Sequence, residues 1–273
     1  MAGRLALHVL ASGSKGNAAI VEDTLTGAGV LVDCGICKRD FFARCADVGF
    51  DPARITDVLI THEHTDHTKG LGVVLRGLAK LGIAPTVHAD RAVQAASRDI
   101  RALLDVHPVT DMRIGESFLL GGLSVYPFRT SHDAASSCGF RFGVEKTPTG
   151  APDAVGYLTD TGIVTDEAIE ALADVRLLAL EANHDPSMLR DGPYPWSVKR
   201  RIASDAGHLS NEQSARALAT LLGDRLEQVV AMHLSEQNNL PLRAVRSLAE
   251  VADRACISLA VSAAAQSRAA SVR

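Results

Sequence analysis

The chain has 273 residues, of which 47% are hydrophobic and 22% charged, with a formal net charge of −4. These values fit an ordinary globular protein of one or two domains with a sizeable core. They exclude a protein coated in basic charge, but not a local basic patch, which is what nucleic-acid binding requires. Five cysteines (Cys34, Cys37, Cys45, Cys138, Cys256) are an odd number without a repeating spacing. Cys34-x-x-Cys37 has the spacing of a redox or zinc pair but lacks a second pair, so free or buried thiols in a reducing compartment are expected. Met1 to Leu10 has no cleavage-site pattern, no run approaches a membrane span, and the expected location is the cytoplasm.

Leu5, Leu7 and Val9 alternate with smaller or polar partners and predict a strand, with a second at Ala18–Val21. Ser12-Gly-Ser-Lys-Gly-Asn17 interrupts them. It reads either as a plain hairpin turn or as a phosphate cradle using Ser14, Lys15 and Asn17, without Walker spacing. Gly29 to Gly35 is a buried strand ending in Asp33, and Lys38–Val48 is a helix with Phe41, Phe42, Cys45 and Val48 on one face. Val58-Leu59-Ile60 then leads into Thr61-His-Glu-His-Thr-Asp-His67. Imidazole and carboxylate are ligands of borderline divalent metals, and loops at strand ends carry chemistry. His62 and His64 point the same way from an extended chain while Asp66 and His67 curl back over them, so one loop can feed two ions. Leu71, Val73, Val74, Leu75 and Leu78 mark a helix, Ile83–His88 a near-edge strand, and Arg91–Leu104 another helix.

Beyond residue 112 strands dominate. Phe118–Phe128 reads as a hairpin followed by Thr130-Ser-His-Asp133, and Cys138–Val144 as a strand. Ala154–Gly162 is a strand ending at Asp160, with a capped helix starting at Thr165. Val175–Leu180 ends at Glu181-Ala-Asn-His-Asp185, and Gln228–Ser235 places His233 after an apolar run. Lys146–Asp153 is a short linker or loop, and Ser262–Arg273 an Ala/Ser/Arg-rich segment expected to fray. His8, His88 and His107 have no partners in pattern and read as ordinary histidines. Composition and periodicity alone give only a mixed α and β protein.

The H-x-H-x-D-H run after an apolar strand resembles the signature of the metallo-β-lactamase superfamily of metallohydrolases. The resemblance covers nearly the whole chain. It implies an α/β (α+β) fold, the αββα sandwich, as one domain over residues 1–262 with a flexible tail over 263–273. It implies two divalent metal ions: His62, His64 and His132 on one, Asp66, His67 and His233 on the other, and Asp160 between them. Asp33 matches the aspartate that orients a ligand histidine from behind. Two such ions, roughly 3.5–4 Å apart, would share a hydroxide nucleophile. Asp66 and His208 are the candidate catalytic side chains. The ligand chemistry suits zinc or manganese first, then iron.

Ser12–Asn17, Ser131–Asp133, Thr159-Asp-Thr-Gly162, Leu180–Asp185, Gly207-His-Leu-Ser-Asn211 and His233-Leu-Ser235 with Asn238-Asn239 resemble the YycJ/WalJ group, which is linked to 5′-to-3′ exonuclease activity and DNA repair. The implied substrate is DNA, as a single strand or a 5′ end, with no organic cofactor and no membrane; oligomeric state stays open. The alternative is a small ester or thioester hydrolase on the same metals. Independently of any resemblance, Met188–Arg201 interleaves Arg190, Tyr194, Trp196, Lys199, Arg200 and Arg201. Aromatic faces beside cations hold single strands without sequence preference. The competing reading is a capped helix end with a packed tryptophan. His184, His208 and Asn211 follow as candidate phosphate contacts, while Ser210 fits a helix N-cap.

Overall fold

Apolar runs such as Leu177–Leu180 have no polar face, because their strands are covered on both sides. A computed structural model describes residues 3–145 and 152–273. The first round of elements is β1 (Leu5–Ala11), β2 (Ala18–Asp23), β3 (Ala28–Val32), α1 (Lys38–Asp47), β4 (Ile55–Leu59), α2 (Thr65–Thr68), α3 (Leu71–Ala79), β5 (Thr86–Ala89), α4 (Arg91–Ala96), α5 (Arg98–Arg101) and β6 (Val109–Asp111). The second is β7 (Phe118–Leu120), β8 (Leu123–Arg129), β9 (Cys138–Val144), β10 (Asp153–Leu158), α6 (Asp166–Leu172), β11 (Leu177–Glu181), α7 (Pro186–Asp191), α8 (Trp196–Ile202), α9 (Asn211–Leu221), β12 (Gln228–Met232), α10 (Pro241–Ala255) and β13 (Ala260–Ala263). A last strand, β14 (Ala270–Val272), returns to the first round.

Two seven-stranded sheets result, ordered β14-β1-β2-β3-β4-β5-β6 and β13-β12-β11-β10-β9-β8-β7. Each has three antiparallel pairings on one side and three parallel ones on the other. Alternation sorts the core into layers. Val30, Val32, Leu177 and Ala179 lie between the sheets. Leu31 turns outward beneath Phe41 of α1 and Leu71 and Val74 of α3. Leu178 and Leu180 turn outward beneath α6, α9 and α10, through Leu172, Leu218 and Leu248. Each such side chain contributes about 1.5–3 kcal/mol by leaving water. The architecture is the αββα sandwich. Among the described residues, no helix is long and apolar enough to cross a membrane.

Two expectations are corrected. The single helix over Arg91–Leu104 is split at Ser97, whose backbone is extended and whose hydroxyl accepts from Ile100 N at 3.3 Å to cap α5. The segment expected to be a flexible tail instead supplies β14, pairing Val272 with Leu7 and Ala270 with Val9. Its Ala/Ser alternation is too weakly apolar to announce a strand, but β1 offers an open edge whose N–H and C=O groups need partners. The linker candidate Lys146–Asp153 falls largely on residues 146–151, outside the described residues.

Register positions the site. Val32 of β3 lies opposite Leu59 of β4. Leu158 of β10 lies opposite Leu180 of β11, and Glu181 opposite Met232 of β12. These parallel strands therefore end level with their neighbours, and open α/β sheets bind ligands beyond the carboxyl ends of such strands.

Candidate metal centre

Three strands end in the same way. Asp33 follows β3, Asp160 lies just past β10 and His233 follows β12, with φ of 59°, 55° and 53°. This left-handed conformation is uncommon without glycine, though Asp and His tolerate it better than most. It costs on the order of 1–3 kcal/mol, and such strain clusters at functional sites. The Asp33 turn is clamped to the metal loop: Cys34 N donates to His67 O at 2.7 Å and Gly70 N to Cys34 O at 2.9 Å. A Cβ on Gly35 would lie 1.6 Å from Asp66 O, so only glycine permits this approach.

The seven predicted ligands converge. His62, His64 and His132 bring ligand atoms within 4.8 Å of one another, as do Asp66, His67 and His233, and a third set of His62, His67 and Asp160 joins the two. Ring centroids are 4.6 Å apart for His62–His64, 5.0 Å for His62–His132 and 6.0 Å for His67–His233. The outward nitrogens are held from behind. His67 Nδ1 lies 2.7 Å from Asp33 Oδ2, His132 Nδ1 3.1 Å from Gly207 O and His62 Nδ1 3.0 Å from Thr61 Oγ1. His62 Nε2 and His233 Nε2 are buried without a hydrogen-bond partner. Buried polar atoms are normally satisfied, so these two fit a group that is not part of the chain, such as a cation.

Charge points the same way. Asp33, Asp66, Asp160 and Glu181 face histidines, and none of the four has an ion pair with Lys or Arg among the described residues. Burial opposes ionisation of Asp160, yet His233 and His67 hold it well below the usual carboxylate range. Burial also opposes a charged His67, but Asp33 and Asp160 raise it well above the imidazole range. His233 is likewise raised to about 10 against burial, by Asp160, Asp66 and Glu181. Burial, aided by neighbouring His67, keeps His62 well below that range. A divalent cation would take over the positive charge that protonated imidazoles supply here, and its binding would release protons. The donor set therefore fits divalent metal ions.

Sequence reasoning passed over Glu181, although an acid closing an apolar strand was its available signal. Glu181 is fully buried; its Oε1 lies 2.8 Å from His208 Nδ1, and its Oε2 accepts from Thr161 N at 2.9 Å. Asp160, Glu181, His208 and His233 form a fourth set of neighbouring ligand atoms. His208 thus stands at the centre, with its ring 5.0 Å from His132 and 5.1 Å from His233.

The other predicted contacts separate. Asn17 is buried, with Oδ1 accepting from Gly13 N and Nδ2 facing His67 Nε2 at 2.9 Å, so it supports the metal loop rather than offering a surface donor. Asn211 is buried in a reciprocal amide pair with Asn239, which removes it from substrate contact, and Ser210 caps α9 in a capping box with Gln213. His184 is buried with Nδ1 unpartnered, and burial lowers it to about 4. Ser14 and Lys15 are exposed, Lys15 being paired with Glu236. Arg190 pairs with Asp191, Lys199 Nζ donates to Arg190 O, and Arg201 pairs with Asp133. Trp196 is exposed, not packed.

A family model described as a β-lactamase superfamily domain matches residues 29–234. The chain is 34% identical over 234 residues to the exodeoxyribonuclease WalJ of Streptococcus pneumoniae serotype 2 (strain D39), covering 85% of this chain and 82% of that protein. It is 33% identical over 249 residues to the exodeoxyribonuclease YycJ of Bacillus anthracis, covering 90% and 89%. Its fold is similar to the metallo-β-lactamase fold protein YhfI of Bacillus subtilis, with a TM-score of 0.71 at 16% identity over 98% of this chain and 99% of that one. The short form of human tRNase Z gives a TM-score of 0.67 at 16% identity over 98% and 99%. At such identities the likeness is one of fold alone. Fold, ligand pattern and sequence likeness together place this chain in the metallo-β-lactamase superfamily of metal-dependent hydrolases.

Proposed function

We propose that the protein is a dinuclear metal-dependent phosphodiesterase that degrades DNA as a 5′-to-3′ exonuclease. The observation that carries this reading is the 34% identity, over most of both chains, to a protein named as an exodeoxyribonuclease. The gathered ligand sets support its metal chemistry. His62, His64 and His132 would hold one ion, and Asp66, His67 and His233 the other, with Asp160 between them. Zinc or manganese suits this donor set, with iron also compatible. Such ions supply Lewis acidity and lower the pKa of water to about 7.

The chain's own residues do the rest. Glu181 fixes the His208 ring through Nδ1, which leaves Nε2 for the substrate. A proton held at Nε2 can pass to the leaving oxygen as the P–O bond breaks, a contribution of typically 10²–10⁴-fold. Ser14 and Lys15 at the rim receive the terminal phosphate, with Lys15 exchanging Glu236 for it.

The test is turnover of end-labelled single- and double-stranded DNA, RNA and a generic thioester by metal-loaded protein. Mononucleotide release from the 5′ end of DNA is expected, faster on a 5′-phosphate than on a 5′-hydroxyl. Lys15→Ala should reduce that preference roughly tenfold. Asp160→Ala should lose turnover and much of the metal while staying folded, because it leaves two cations unscreened. Preferred turnover of RNA or the thioester would overturn the reading, as would full activity in Asp160→Ala.

A further inference from the structure

Residues 186–205 form an arm between β11 and α9, carried by the two short helices α7 and α8. We propose that this arm is the docking track for a single strand of nucleic acid running away from the metal centre, with Trp196 as its stacking face and Arg200 as its phosphate contact. The proposal rests on the nuclease reading above.

The inner end of the arm is anchored at the site. His208 N donates to Ile202 O at 2.9 Å, and Gly207 N to Ser204 O at 2.8 Å. Asp133 N donates to Ala206 O at 3.0 Å, Ser131 Oγ to Asp205 O at 2.7 Å, and Arg201 pairs with Asp133. The C-terminal end of α8 is thus tied to the loops that carry His132 and His208. Its other end carries Trp196, the chain's single tryptophan, which is 71% exposed. Six residues at ~1.5 Å each set Trp196 about 9 Å from Ile202. Two to three stacked nucleotides at ~3.4 Å each cover that distance.

Charge selects the occupant. Between residues 190 and 201 stand Arg190, Lys199, Arg200 and Arg201 against Asp191, four cations to one acid, so this stretch is +3 in a chain of −4. Neighbours occupy Lys199 and Arg201, whereas Arg200 is exposed and has no ion pair or hydrogen bond from its side chain among the described residues. A bare aromatic face beside a free cation fits a polyanion with unpaired bases. A duplex hides the faces of its internal bases, so along its length it offers Trp196 nothing to stack on.

The lone tryptophan makes the contact observable without catalysis. A phosphorothioate-linked single strand of twelve nucleotides should quench the intrinsic fluorescence of the metal-loaded protein, and a blunt duplex of the same length should not. In parallel, KM is measured for single strands of two and twelve nucleotides. The longer strand should have the lower KM, and Trp196→Ala should shrink that advantage roughly 5- to 150-fold, with the loss falling on KM rather than kcat. Trp196→Phe should restore most of it. Arg200→Gln should lower the slope of log KM against log salt by about 0.7. Quenching without cleavage of any nucleic acid would uphold the track and overturn the nuclease reading. Cleavage without quenching, with the length advantage intact in Trp196→Ala, would overturn the track and leave the nuclease reading standing. Equal quenching by the blunt duplex would overturn the choice of a single strand.

Discussion

Asp33 does two jobs with one side chain. Its backbone turns the chain in the left-handed region, and its carboxylate binds Thr61 N at 2.9 Å and His67 Nδ1 at 2.7 Å. Asn accepts the same backbone, so Asp33→Asn separates the charge from the turn. The amide still fits, but no longer holds His67 as a carboxylate does. Metal affinity should fall roughly 10–100-fold with the fold retained. Competition against a chromophoric chelator measures this; unchanged affinity would reduce Asp33 to a turn residue. Glu181 and His208 follow the same logic on the opposite sheet, where a buried acid fixes one imidazole nitrogen and frees the other.

The Gly/Ser turn at 12–17 and the C-terminal segment act as one element. Gln266 Oε1 accepts from Lys15 N at 2.8 Å, Gln266 Nε2 donates to Gly16 O at 2.8 Å, and Ser12 N donates to Ala265 O at 3.3 Å. The turn in turn reaches the metal loop through Asn17 N and Asp66 O, 2.8 Å apart. To the two readings open for this turn, the structure adds a third: a brace between β14 and the candidate metal ligands. Gln266→Ala removes two hydrogen bonds of about 0.5–1.5 kcal/mol each. The expected loss is about 1–3 kcal/mol, or roughly 2–12 °C in Tm for a chain of this size, with weaker metal binding. Thermal unfolding and metal titration check both; an unchanged affinity would confine Gln266 to stability.

At the scale of the molecule, one buried ion pair joins the sheets. Arg176 Nε lies 2.9 Å from Asp153 Oδ1, while Leu5 of the facing sheet donates N–H to Asp153 Oδ2 at 2.9 Å and accepts from Arg176 Nη2 at 2.6 Å. Four groups, the two side chains and the N–H and C=O of Leu5, meet where the first strand of one sheet crosses the other. Arg176→Ala would leave the buried Asp153 carboxylate without its counter-charge and remove the guanidinium from Leu5 O, and should cost about 3–5 kcal/mol. Combining it with Asp153→Leu should cost less than the sum of the two single changes, because both act on one network. Chemical denaturation of the three variants measures this; strict additivity would mean the pair does not staple the sheets.

A resemblance to a known family added His132, Asp160 and His233; the sequence by itself determined most of the strands, their buried faces and the cluster of His62, His64, Asp66 and His67. Those signals are local: a period of two, an apolar run and a histidine cluster spanning six positions. Tertiary structure decided what local patterns cannot encode. β14 became a strand only because β1 had an unpaired edge, and its own residues carry little preference. Glu181 became part of the site only because β11 ends level with β12, beside a loop nearly thirty residues further on. Asn17 and Asn211 have the chemistry of surface donors, but packing buried both and fixed their amides on other partners. Arg200 is distinguished from Lys199 and Arg201 because the folded chain places an acceptor beside each of those two and, among the described residues, none beside its own side chain. Burial and pairing are properties of the folded arrangement, since each depends on which distant segment arrives beside a residue.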